Sequence, residues 1–143
     1  MVSYFKFIDH TADIAVEVSG NTYEELFLAA LNGWKNSVVE LSRKKYVTHE
    51  REFNLKENSP EELLVSFLQE MNYLLESKKI FPFDIKNINI EKIDETFLLE
   101  STILFGNIAK EDIVKTEIKA VTFHQLDIKR VNGVYKTIIV FDI

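Results

Sequence analysis

The sequence predicts an α+β fold, with two helices packed on a largely antiparallel sheet in a single domain over residues 1–143. Three observations carry that reading. Two stretches place apolar residues at helical spacing behind recognisable N-terminal caps. Others, such as Ile14–Ser19, alternate apolar with wetter positions at the period of a strand. Asn132-Gly133 is the strongest turn signal in the chain and suits a type I′ hairpin, whose two central residues both need positive φ.

In chain order, Ser3–Ile8 and Ile14–Ser19 are the first two strands. In the second, Ile14, Val16 and Val18 share one face, while Asp13, Ala15 and Glu17 share the wetter one. Thr22 and Glu25 fit a capping box, in which each side chain accepts from a free backbone N–H. Leu26, Phe27, Ala30, Leu31, Trp34 and Val38 follow as the apolar stripe of the first helix. Tyr46–Leu55 is a strand. Ser59-Pro60-Glu61-Glu62 opens the second helix, with a serine cap, a proline tolerated in the first turn, and glutamates that complement the helix dipole. Its stripe is Leu63, Leu64, Phe67, Leu68, Met71, Leu74 and Leu75, and both stripes are core rather than cofactor surface. Ile85–Ile93 and Phe97–Phe105 form a hairpin around Asp94-Glu95; Gly106–Glu111 is a loop. Lys115–Arg130 is mostly extended, and Tyr135–Ile143 is the last strand.

Composition narrows the function classes. Apolar residues make up 46% and charged residues 28%, the balance of a soluble globular protein. No window approaches the roughly 18–20 uninterrupted apolar residues of a membrane span. The start, MVSYFKFIDH, lacks a basic segment and an apolar signal core, so a cytoplasmic location is expected. Without cysteine there is no disulfide, thiolate ligand or cysteine nucleophile. Net charge is −6 and the only basic run is Arg43-Lys44-Lys45, so nucleic acid is not gripped by this chain alone. The four glycines, Gly20, Gly33, Gly106 and Gly133, are scattered and form no phosphate-cradling loop.

The acids at the two ends of the chain raise the chemical question. Asp9-His10-Thr11-Ala12-Asp13 stands where a plain hairpin would use a glycine. Asp142 precedes Ile143, whose α-carboxylate would stand beside the Asp142 carboxylate. Two anions about 5 Å apart repel by roughly 3 kcal/mol at an effective dielectric near 20. A proton, a cation or separation into water relieves this. On the residues alone, a solvated Asp-Ile end and a set of oxygen ligands for a hard cation both stay open. Asp9 reads as a turn former, and His10 and His124 as structural histidines. Zinc is disfavoured with no thiolate and only three histidines.

Register arithmetic places these groups. The Asn132-Gly133 loop pairs Val131 with Val134. Continued without a bulge, it sets Phe141 opposite His124 and Asp142 opposite Phe123. Leu126, Ile128, Ile139 and Phe141 then face the core, with Gln125, Asp127 and Asp142 on the other side. Lys129 opposes Lys136, unfavourable unless both are solvated. Lys119 lies about 13 Å along the strand from the position opposite Asp142, too far for contact unless the strand bends.

Four blocks in order, DHTADI at 9–14, EELLVSFLQEMNYL at 61–74, KTEIKAVTFH at 115–124 and VFDI at 140–143, resemble the archease family. The likeness runs from the first strand to the last residue, and residues 38–58 and 76–112 carry little of it. The resemblance implies a small α+β accessory protein of an RtcB-type tRNA-splicing ligase. It promotes guanylylation of the ligase and multiple turnover and is not itself a catalyst. RNA and GTP are met only through the ligase, and no membrane is involved. It also implies a divalent-metal site, calcium first, with magnesium and manganese as alternatives. The implied ligands are Asp13, Asp142 and the last residue, Ile143. Lys119 is then either a solvated edge lysine or a contact to the ligase or its nucleotide phosphates. Asp9 and His10 stay unassigned. The rival readings are a stand-alone metal-dependent hydrolase, for which no general base or substrate pocket is identifiable, and a metal-stabilised interaction module.

Overall fold

The structure, a computed structural model, describes residues 3–8, 13–41, 45–109 and 112–143. In chain order the elements are β1 (Tyr4–Ile8), β2 (Ile14–Gly20), α1 (Tyr23–Val38), β3 (Val39–Glu40), β4 (Val47–Glu57) and α2 (Pro60–Tyr73). A π-helical turn (Leu74–Lys78) extends α2, and β5 (Ile80–Ile93), β6 (Thr96–Asn107), β7 (Ile113–Val114), β8 (Ala120–Thr122), β9 (Lys129–Val131) and β10 (Val134–Asp142) follow. Two helices and antiparallel pairing give the α+β class the sequence predicts. The strands are shared among a five-stranded, a three-stranded and a two-stranded sheet. The residues form two compact units, one running to Val38 and resuming at Lys115, the other running from Val39 to Val114.

In the first unit the sheet order is β1-β2-β10-β8, with β9 pairing β10 further along. α1 starts as its sequence dictates. Thr22 Oγ1 accepts from the Glu25 N–H at 3.1 Å, and Glu25 Oε1 accepts from the Asn21 N–H at 2.9 Å. The reciprocal bond thus reaches one residue before the cap, where a strict capping box would return to the cap itself. The predicted stripe of α1 is buried throughout and packs beside Val16 and Val18 of β2. Gly33 makes the approach close, since a Cβ there would lie 2.9 Å from Val16 Cγ1. The opposite face of β2 is less wet than period-two alternation predicts. Ala15 and Ser19 are each only 1% exposed, and Glu17 is half-buried. β2 is a central strand, and small side chains between larger cross-strand neighbours lose their water even on an outward face.

In the second unit β6 lies between β4 and β5, and Phe53, Ile90, Leu99, Ile103 and Phe105 are buried. α2 begins at Ser59, whose Oγ accepts from the Glu62 N–H at 3.1 Å, with Pro60 in the first turn. Its predicted stripe is buried through Leu75. The β5–β6 hairpin is longer than predicted because Pro82 and Gly106 read as breakers yet lie inside strands. Pro82 sits at a register shift of an edge strand, where a missing N–H is tolerated. Gly106 is required by close approach: a Cβ there would be 1.7 Å from the Tyr46 carbonyl oxygen. Among the described residues no helix is long and apolar enough to cross a membrane.

Candidate functional site

The first unit sets the N-terminal end of β2 beside the C-terminal end of β10. Their antiparallel register runs from Tyr135 opposite Gly20 to Phe141 opposite Ile14. Asp142 is the next and last residue of β10, and Asp13 is the residue before β2, so the same register continued one step would set them opposite one another. Asp13 is half-buried and Asp142 exposed. Ile143, 41% exposed, follows Asp142. On the far side of β10, Asp142 stands opposite Ala120 of β8, and its carbonyl accepts from the Lys119 N–H at 2.8 Å.

Lys119 is therefore a neighbour of Asp142, which corrects the predicted separation of about 13 Å. The strand does bend. The hairpin register is as predicted at its start, with Val134 opposite Val131, Tyr135 opposite Arg130 and Lys136 opposite Lys129. Asn132 and Gly133 both have positive φ, 53° and 79°. The chain then turns at Phe123–Leu126, where the Leu126 N–H donates to the Phe123 carbonyl and Gln125 takes φ 62°. The turn takes up three residues, so Phe141 faces Val121 and not His124, and Asp142 faces Ala120 and not Phe123. Side-chain bonds pin the turn. The Asp127 N–H donates to Thr137 Oγ1, the His124 N–H donates to Thr122 Oγ1, and that hydroxyl donates to the Val140 carbonyl.

The shift also changes which residues reach the core. Ile139 and Phe141 are buried as predicted, but Leu126 and Ile128 are only half-buried, and Ile118 and Val121 are the buried residues of this segment. His124 is exposed on the turn. The like-charged pair Lys129/Lys136 is tolerated in the way its exposure suggests: Lys129 lies 3.7 Å from Asp127, and Lys136 lies 3.5 Å from Glu17. Glu17 also accepts from the Tyr4 hydroxyl at 3.0 Å. Burial works against its charge, but the Tyr4 hydroxyl and the ammonium groups of Lys6 and Lys136 outweigh that and hold the carboxyl below the usual 4.5.

Sequence reasoning did not single out the cleft of about 330 Å³ next to these acids. Asp13, Ile14 and Ala15 line it together with Phe7, Ile8, Asn36, Ser37, Lys115 and Thr116. Lys115 closes the end of α1, its backbone N–H donating to the Val38 carbonyl at 2.8 Å and its ammonium to the Asn36 carbonyl at 2.9 Å. The only hint in the sequence is that Lys115 and Thr116 open the KTEIKAVTFH block.

The donor set at the strand ends is one of hard oxygens: the carboxylates of Asp13 and Asp142 and whatever oxygens Ile143 offers. That chemistry suits calcium, magnesium or manganese, with water completing the shell, better than zinc. Among the described residues, no group of three or more histidine, cysteine, aspartate or glutamate side chains is placed to hold a metal. Two aspartates alone do not fill the shell of a hard cation, which would need backbone or terminal oxygens besides. Asp9 and His10 lie outside the described residues.

Comparison with known proteins agrees with this arrangement of strands and helices. Residues 5–143 match the Archease protein family (MTH1598/TM1083). The chain is 32% identical over 140 residues to the protein archease of Methanosarcina barkeri, covering 97% of this chain and 95% of that protein. It is 38% identical over 137 residues to that of Thermotoga maritima, covering 94% and 96%. The solution structure of Methanobacterium thermoautotrophicum protein 1598 superposes with a TM-score of 0.80 at 26% identity, covering 97% of this chain and 98% of that one. The crystal structure of a Thermotoga maritima archease, described there as a possible chaperone, does so with 0.63 at 34% identity, covering 96% of each. With a match from Phe5 to Ile143, the chain belongs to the archease family.

Proposed function

We propose that this protein is an accessory factor that activates an RtcB-type tRNA-splicing ligase, promoting its guanylylation and multiple turnover without catalysing ligation itself. The observation that supports this reading is membership of the archease family, in a chain whose β2–β10 register runs toward Asp13 and Asp142 and whose Lys119 N–H bonds the Asp142 carbonyl. Asp13, Asp142 and Ile143 would hold a divalent cation, calcium first, through oxygen atoms. Such a cation, when bound, neutralises phosphate charge. Lys119, fixed to β10 by its backbone bond and exposed, offers an ammonium to the ligase or to the phosphates of its nucleotide. GTP and RNA reach this protein only through the ligase.

The reading is tested by incubating purified protein with RNA ends and nucleoside triphosphates, with and without the ligase. Stimulation should require the ligase, and the protein alone should turn over neither substrate. Robust hydrolysis by highly purified protein lacking ligase would favour a metal-dependent hydrolase and end the accessory reading.

A further inference from the structure

The edges of the described sheets differ in how their free backbone is guarded. β8 and β9 are three residues each and are separated by a turn. β4 carries Glu50, Arg51 and Glu52 in succession and a register shift near its start. β5 has two register shifts, Pro82, and the charges of Asp84 and Lys86. Short strands, bulges, proline and charge are the devices that keep an edge from pairing with another chain.

β1, five residues long, has no bulge and no proline, and Lys6 is its one charge. It reads Tyr-Phe-Lys-Phe-Ile, keeps unbroken register with β2 from Tyr4 to Ile8, and among the described residues pairs with β2 alone. Tyr4 is 43% and Phe7 49% exposed, and the Phe7 ring stands edge-on to Phe5. Phe7 and Ile8 at the end of the strand line the 330 Å³ cleft, together with Ile14, Ala15 and the polar Asp13 and Lys115.

We propose that β1 is a strand-addition site for an extended acidic segment of a partner protein, one apolar side chain of which fills this cleft. In this mode main-chain hydrogen bonds supply affinity and a pocket for alternate side chains supplies specificity. Charge decides the occupant. Lys6 is the middle residue of β1, so full antiparallel pairing of two copies sets Lys6 against Lys6, which is unfavourable for directly opposite residues. A carboxylate at that position in another chain is favourable. Lys6 pairs with Glu17 across β2 at 4.0 Å, and its side chain, 59% exposed, leaves room for a second carboxylate on the outer side. The proposal needs neither the cation nor the ligase.

The test is selection of a random peptide library, displayed on phage, against the full-length protein, followed by binding of the enriched sequence as a free peptide. Enriched peptides should alternate apolar residues with an aspartate or glutamate. The bound peptide should slow hydrogen exchange at the β1 amides. Lys6→Glu should weaken it about tenfold, and replacing the peptide's acidic residue by lysine should restore binding to that variant. Phe7→Asp should lose the peptide as well; the charge-swap rescue keeps the test decisive if that variant misfolds. Peptides enriched equally on Lys6→Glu protein, protection outside β1, no enrichment, or a dimer that itself protects β1 would each overturn the proposal.

Discussion

Replacing Asp13 or Asp142 by asparagine should change stability with opposite sign in the absence and presence of calcium. Continued one step past Phe141 opposite Ile14, the β2–β10 register would set the two residues opposite one another. Directly opposite β-carbons are about 5 Å apart, and two charges at that distance repel by roughly 3 kcal/mol at an effective dielectric near 20. Asp142 is exposed, so solvent and salt leave about 1 kcal/mol of this. Metal-free Asp142→Asn should therefore be more stable than the parent by up to about 1 kcal/mol, or roughly 3–5 °C in Tm. With calcium at about a hundred times its Kd, the parent should gain about 2.7 kcal/mol, and the variant should gain far less. Asparagine keeps the shape of aspartate and exchanges one acceptor oxygen for an NH2 donor, so the contrast between the two calcium conditions, in which that exchange is common, reads the charge. The assay is thermal unfolding of parent, Asp13→Asn and Asp142→Asn in chelator and in saturating calcium. An equal calcium gain in all three, or an equal loss of stability in both conditions, would refute the reasoning.

Other expectations follow from single contacts. Gly106→Ala should destabilise by about 2–4 kcal/mol in urea unfolding, because its Cβ meets the Tyr46 carbonyl; a loss under about 0.5 kcal/mol would contradict the close approach. Tyr4→Phe removes a hydrogen bond that favours ionised Glu17 and should cost about 1 kcal/mol near neutral pH. Since the folded carboxyl titrates below 4.5, that difference should be complete above 4.5 and vanish as pH falls through the folded value. A pH-independent difference would mean the hydroxyl acts through packing. Adding one glycine after Ile143 moves the terminal charge about 3–4 Å onward, and deleting Ile143 misplaces it. Both should weaken calcium binding in calorimetry while an N-terminal tag does not, and three matching affinities would remove Ile143 from the donor set.

Where local chemistry is explicit, the sequence is legible. The caps at Thr22 and Ser59 and both apolar stripes lie where their residues dictate, because helix starts and faces are written in neighbouring positions. Asn132-Gly133 announces its turn because both residue types accept positive φ cheaply. Gln125 and Lys79 also adopt positive φ, and nothing in their chemistry advertises it. The turn at Gln125 slips the register by three residues, so that Ala120 in place of Phe123 stands opposite Asp142 and the Lys119 N–H reaches the Asp142 carbonyl. A bend held by Thr122 and Thr137 is a tertiary fact that period-two reading does not contain. Ala15, expected on the wetter face, is buried for a related reason: burial on a central strand depends on cross-strand neighbours that the strand's own sequence does not name. The adjacency of β2 and β10 is a condition the sequence could state but not supply.

The central claim is tested most directly by single-turnover guanylylation of an RtcB-type ligase, measured with this protein absent, present, and present as Asp13→Asn. The account predicts that the parent protein accelerates guanylylation, that the variant folds normally and accelerates it far less, and that neither forms a guanylylated species alone. Equal rates with and without the parent protein would contradict the account.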